Sequence, residues 1–136
     1  MKYTVHRQLS VAIENQPGRL AAISKAMAAQ GINIKDLSVV DNVEQGMIRI
    51  GTSDPAACKA LLVREGFYVV EADVLVLILR DSPGKLAVVC QALADAQINI
   101  DYAYGSEDPS EEHVRLVMKA SNLAQACEVI ARLQES

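Results

Sequence analysis

The chain repeats itself, and that constrains its fold more than any other feature. At an offset of 66 positions (83 − 17), Pro17, Gly18, Leu20 and Ala21 fall on Pro83, Gly84, Leu86 and Ala87. Ala26, Ala28, Ile32, Asn33 and Ile34 likewise fall on Ala92, Ala94, Ile98, Asn99 and Ile100. Further on, RIGTSDPAACKALL meets LVMKASNLAQACEVI with the offset grown to 68, the extra length falling in the polar stretch Gly105 to Glu112. A period seen twice makes a pair of modules, not a solenoid. Residues 1–72 and 73–136 are the expected modules, and 136 residues suffice for two small ones.

Each copy reads strand, helix, strand, strand, helix. VHRQLSVAI alternates, with Val5, Leu9, Val11 and Ile13 on one face. Pro17 and Pro83 suit a first helical position, with Gln16 or Ser82 as the expected cap. Leu20, Ile23 and Met27 then recur at helical spacing, as do Leu86, Val89 and Leu93. Gly31 stops the first helix and Gln97 stands in its place in the second. INIKDLSVV and INIDYAY are strands, and the apolar phase of the first slips between Ile34 and Leu37, which predicts a bulge at Lys35–Asp36. Asp54 with Pro55, and Asn122, open the later helices. FYVVEA closes copy one, and VLVLIL, apolar on both faces, is a central strand. The order βαββαβ predicts an α+β, ferredoxin-like sandwich: an antiparallel sheet with its helices on one face, built twice.

Copy two ends just after its last helix and so lacks a closing strand, while the opening strand is overlong. At about 3.3 Å per residue, Tyr3 to Ile13 spans about 36 Å, twice the common length. The expectation is that Tyr3 to Arg7 pairs with the second copy's sheet or with another chain. Val74 to Leu79 needs cover on both faces, which a two-layer sandwich does not supply, so a dimer or larger oligomer is expected.

Composition removes several classes of function. The net charge of −4, with no basic cluster, disfavours a nucleic-acid backbone as partner. The longest wholly apolar run is the six residues Val74–Leu79, short of the roughly 20 a membrane helix needs, and the opening residues lack a signal peptide's apolar core. Cys58, Cys90 and Cys127 are odd in number, far apart and without C-x-x-C spacing. No zinc site or disulfide framework is expected, and a reducing, cytoplasmic setting is. SEDPSEEH gathers Glu107, Asp108, Glu111, Glu112 and His113, but acidic residues in a hairpin loop are ordinarily solvated. His6 lies alone in a strand. No Ser/His/Asp grouping, phosphate loop or carboxylate pair stands out, so neither catalysis nor a cofactor is expected.

LSVAIENQPGRLAAISKAMAAQGINIKDLSV resembles the start of an ACT domain, the amino-acid-sensing module appended to many biosynthetic enzymes, and LVLILRDSPGKLAVVCQALADAQINIDYAY resembles it again. The resemblance implies a non-catalytic sensor binding a free amino acid between paired modules. The turn of one module holds the ligand on one side, and the residue opening the second strand holds it on the other. Carried over, the first site comprises Asn15, Gln16, Pro17, Gly18, Arg19, Leu20, Asn33 and Ile34; the second comprises Asp81, Ser82, Gly84 and Asn99. A zwitterion suits such a turn, because free N–H groups at a helix start face its carboxylate and an Asn amide serves either end. Asp81 departs from the amide type, with Arg80 adjacent to neutralise it. LSVAIENQPGRL also resembles the opening of the small regulatory subunits of acetolactate synthase, which implies a metabolic enzyme as partner. Those subunits continue into a different domain, whereas a second ACT-like copy follows here.

Overall fold

The structure, a computed structural model, describes residues 2–14, 16–41, 45–107 and 112–134. Among them, in chain order, are β1 (Lys2–Ile13), α1 (Arg19–Ala29), β2 (Ile34–Asp41), β3 (Gly46–Thr52), α2 (Pro55–Arg64), β4 (Tyr68–Arg80), α3 (Lys85–Asp95), β5 (Ile100–Glu107), β6 (His113–Ala120) and α4 (Leu123–Gln134). They form two compact units. One is Arg7–Ala72, and the other joins residues 2–6 to residues 73–134.

In the first unit the strand order is β2-β3-β1-β4, with β1 and β2 each antiparallel to β3. Leu9, Val11 and Ile13 alternate into a core completed by Ile48 and Ile50, Ile23 and Met27 of α1, and Cys58, Leu61 and Leu62 of α2. The register of β2 on β3 shifts between Ile34 and Asp36, so the bulge falls where the apolar phase slips. Three of the chain's helices, α1, α2 and α3, end alike. After α1, Ile32 N–H reaches Met27 O (3.0 Å) and Gly31 N–H reaches Ala28 O (3.0 Å), the paired bonds of a Schellman cap around a left-handed Gly31. Asp54, as expected, caps α2 through its side chain to Ala57 N–H, with Pro55 behind it.

In the second unit the order is β5-β6-β4-β1, β6 running antiparallel to both β4 and β5. Its closing strand is the first part of β1, whose Tyr3 packs on the core of Leu75, Leu77, Leu79, Leu93, Met118 and Ile130. Val5, expected in the buried stripe, is instead 48% exposed, while Leu9, Val11 and Ile13 of the same stripe are buried. FYVVEA and VLVLIL, expected as separate strands, are one 13-residue strand, β4. The two faces of VLVLIL are both buried within this unit. Leu75, Leu77 and Leu79 face the helices, while Val74 and Val76 form a second small cluster with Val117 under Tyr104. That removes the uncovered strand face as a reason for a dimer. A bulge recurs on β5 between Ile100 and Tyr102, at the position equivalent to the first.

Candidate ligand site

Pro-Gly shapes both candidate turns in the same way. Gly18 has φ 89° and ψ −9°, Gly84 has φ 89° and ψ −10°, and each follows a proline. These are the torsions of the third residue of a type II turn, which needs a positive φ and so a glycine. Arg19 N–H to Gln16 O and Lys85 N–H to Ser82 O, each 3.4 Å, close the turns. The helices therefore begin two residues later than expected, and Gln16 and Ser82 are not their caps. Gly18 O and Gly84 O accept the first helical bonds, from Ala22 N–H (2.9 Å) and Val88 N–H (3.1 Å). Neither helix has a side-chain cap. Leu20 and Ala21 N–H, like Leu86 and Ala87 N–H, find no backbone acceptor among the described residues. Asn15 lies outside those residues.

Asn33 and Asn99 open the strands after α1 and α3. Each is clamped through its backbone to a serine: Asn33 N–H donates to Ser53 Oγ (3.1 Å) and Ser53 N–H to Asn33 O (3.1 Å). The corresponding distances at Asn99 and Ser121 are 3.0 and 2.8 Å. The side chains differ. The exposed Asn33 amide has no hydrogen bond among the described residues, whereas Asn99 Nδ2 donates to Asp101 Oδ1 (3.1 Å). Lys119 Nζ meets the other Asp101 oxygen at 2.9 Å. Together Lys119 and Asn99 hold the Asp101 carboxyl below the ordinary aspartate range. Ile34, carried over as a site residue, packs on the core of its unit.

Neither unit brings its own turn and asparagine together. Ile13 opposes Gly46, which opposes Asp41, so the first turn lies beside the end of β2. Asn33 precedes the start of that strand, eight residues back from Asp41 and about 26 Å away. In the second unit Asp81 N–H bonds Glu112 O (2.8 Å), next to the end of β5, and Asn99 again lies at the far end.

The surroundings of the two turns also differ. At the first, Arg19 Nη2 meets Glu14 Oε2 at 3.2 Å, closing the turn's charges on themselves. A cavity of about 390 Å³ there includes Glu14, Arg19, Gln45 and Glu65 in its lining. At the second, Arg80 replaces Glu14 and Lys85 replaces Arg19. Arg80 does not neutralise Asp81: none of Arg80, Asp81 and Lys85 has an ion pair or side-chain hydrogen bond among the described residues. They rim a crevice of about 160 Å³ whose apolar lining is Leu79, Leu86, Val114 and Leu116. Sequence reasoning did not reach Val114 or Leu116, because their place depends on the register of β6 against β4, Leu79 opposite Val114.

Among the described residues no three His, Cys, Asp or Glu side chains are grouped to hold a metal, and Asp108 and Glu111 lie outside them. His6 Nε2 lies 2.9 Å from the hydroxyl of Thr4, two residues away on the same strand. No helix among them is long and apolar enough to cross a membrane. The three cysteines are free thiols, Cys58 buried and the other two half-buried.

No curated protein matches the chain. Among solved structures, a protein from Bacteroides thetaiotaomicron is 29% identical, superposes with a TM-score of 0.90, and is matched over 97% of this chain and 90% of its own. The regulatory subunit of aspartate kinase from Thermus thermophilus has a TM-score of 0.71 at 17% identity, covering 97% and 96%. That from Thermus flavus has 0.66 at 21%, covering 97% and 94%. At such identities the last two show a shared fold. The family described as "ACT domain pair" matches residues 3–135, and the chain belongs to that family.

Proposed function

We propose that the chain is a non-catalytic sensor that binds a free amino acid where the turn of one copy meets the opening of an edge strand in a second copy. Strand register supports this reading. Turn and asparagine lie at opposite ends of each edge strand, so antiparallel pairing of β2 with β2 of a partner brings Asn33 of one chain to the Gln16–Arg19 turn of the other. The edge strand β2 is suited to such pairing, since Leu37, Val39 and Val40 are 38%, 51% and 46% exposed and a bare apolar strand edge is a template for another strand. The unsatisfied amides beyond Gly18 face the ligand carboxylate, and the uncommitted Asn33 amide faces its other end. A homodimer is thus part of the site.

A melting screen against the twenty amino acids, with sedimentation in parallel, tests the reading. A ligand at 100 times its Kd adds about 2.7 kcal/mol, a rise of several degrees. A chain that sediments as a monomer and whose melting no amino acid shifts would refute it.

A second reading is favoured by the match over almost their whole length to chains named as regulatory subunits of aspartate kinase. In it the sensor is the regulatory subunit of an amino-acid biosynthetic enzyme, of the aspartate-kinase or acetolactate-synthase kind. Co-purification of a catalytic chain whose activity responds to the same amino acid supports it; a chain that purifies alone and alters no such activity refutes it.

A further inference from the structure

We infer that the second turn selects its ligand by side chain: the crevice between Leu79, Leu86, Val114 and Leu116 takes the branched aliphatic side chain of valine, leucine or isoleucine. This rests on the amino-acid-sensor reading above and adds the ligand class.

The lining sets that class. Leu79 and Leu116 form a floor that is 5% and 8% exposed, Val114 is half-buried, and Leu86 stands 52% exposed at the rim. All four are aliphatic, with no aromatic ring to stack an indole or imidazole. Size agrees: an apolar cavity of about 150 Å³ accepts a guest the size of benzene, so a crevice of about 160 Å³ holds three or four carbons and excludes an indole. A lysine ammonium or an aspartate carboxylate placed against those side chains would lose its water without gaining a partner.

The rim fixes the other end of the molecule. Asp81 offers a carboxylate to the ligand ammonium, and Lys85 and Arg80 offer cations to its carboxylate. All three are exposed, and none is committed to an ion pair among the described residues. Asp81, the departure from the amide type, so completes a zwitterion site. The first turn is unlike this, with its Glu14–Arg19 pair already closed and Gln45 and Glu65 in its cavity lining, and is not suited to the same ligand.

The test is calorimetric titration of the full chain with L-valine, L-leucine, L-isoleucine, L-alanine, L-lysine and L-aspartate. The branched aliphatics are expected to bind at least tenfold more tightly than alanine. Val114→Phe fills the crevice, and Leu86→Asn changes its exposed rim without touching the floor. Each is expected to weaken binding about tenfold or more, and Leu86→Asn to leave the melting of the ligand-free chain within a few degrees of the parent. Should Val114→Phe fail to fold, Leu86→Asn decides. Aliphatic binding that neither variant weakens overturns the crevice as the site. Binding of lysine or aspartate with no aliphatic binding overturns the ligand class while leaving the sensor reading intact. Silence from all six, joined to silence in the twenty-amino-acid screen, overturns both.

Discussion

Gln97 occupies a conformation that its type disfavours, and its repeat partner offers an internal control. The first helix of each copy ends in the same pair of capping bonds. Ile32 N–H to Met27 O is 3.0 Å and Ile98 N–H to Leu93 O is 2.9 Å; Gly31 N–H to Ala28 O is 3.0 Å and Gln97 N–H to Ala94 O is 2.9 Å. At the residue between, φ is +69° for Gly31 and +59° for Gln97, which is the only described non-glycine residue with a positive φ. A left-handed conformation costs an L-residue about 1–2 kcal/mol, while glycine costs about 0.4–1 kcal/mol through the freer unfolded chain. The exposed Gln97 side chain has no hydrogen bond among the described residues. Gln97→Gly is therefore expected to stabilise by about 0.5–1 kcal/mol and Gly31→Gln to destabilise by a similar amount, since nothing lies within 4 Å of a Cβ at position 31. Urea unfolding followed by circular dichroism reads both. With a slope of about 2 kcal/mol per molar, the midpoints move by about 0.3–0.5 M in opposite directions. Gln97→Gly lowering the midpoint, or both variants moving it the same way, would refute the argument that backbone conformation governs these caps.

Three further outcomes are expected. Burial first, and the Asp54 carboxylate second, push the Cys58 thiol up to about 11 from near 9; the unfolded chain then loses that proton first, so stability falls as pH rises from about 9 to 11, and a Cys58→Ala chain showing the same fall in that window would count against it. Lys119→Met removes the largest cause of the depressed Asp101 carboxyl, so a carbon-detected NMR titration is expected to find that group moved back up toward the ordinary aspartate value, and no movement means the pair does not form in solution. Gly105→Ala places a Cβ 2.7 Å from the backbone oxygen of Arg115 and is expected to cost about 1–3 kcal/mol, against about 1 kcal/mol or less for Gly84→Ala, where only the positive φ objects; equal melting losses would contradict the contact.

The repeat, the strand–helix order and the apolar alternation of Leu9, Val11 and Ile13 carry the fold in plain sight, because burial on one face leaves a period in the sequence. The first bulge is legible for the same reason. Its counterpart at Asp101 is silent, since Ile100, Tyr102 and Tyr104 alternate without a slip. Pro17-Gly18 announces a turn, but proline suits both a first helical position and the second place of a type II turn, and only the glycine's torsions decide between them. Asn33 and Asn99 look equivalent in the aligned copies, yet Lys35 in one and Asp101 in the other leave one amide open and the other occupied. The crevice depends on which residues of β4 and β6 oppose one another, a long-range register that no local pattern encodes.

Strand β1 belongs to two units: its first residues complete a core whose other parts begin at Asp73, and its later residues serve the unit that ends at Ala72. On the ribosome, unit 7–72 has all its parts once about 72 residues have emerged. Residues 2–6 must then wait, unpaired, for β4 and β6 to follow at about 5–20 residues per second. A cut at residue 72 does not yield two whole modules, since it leaves the earlier fragment with a loose strand end and the later one with a vacant strand position. Two chains finishing side by side have the parts for a trade, each one's residues 2–6 filling the other's gap, which is the geometry of strand-swapped dimers.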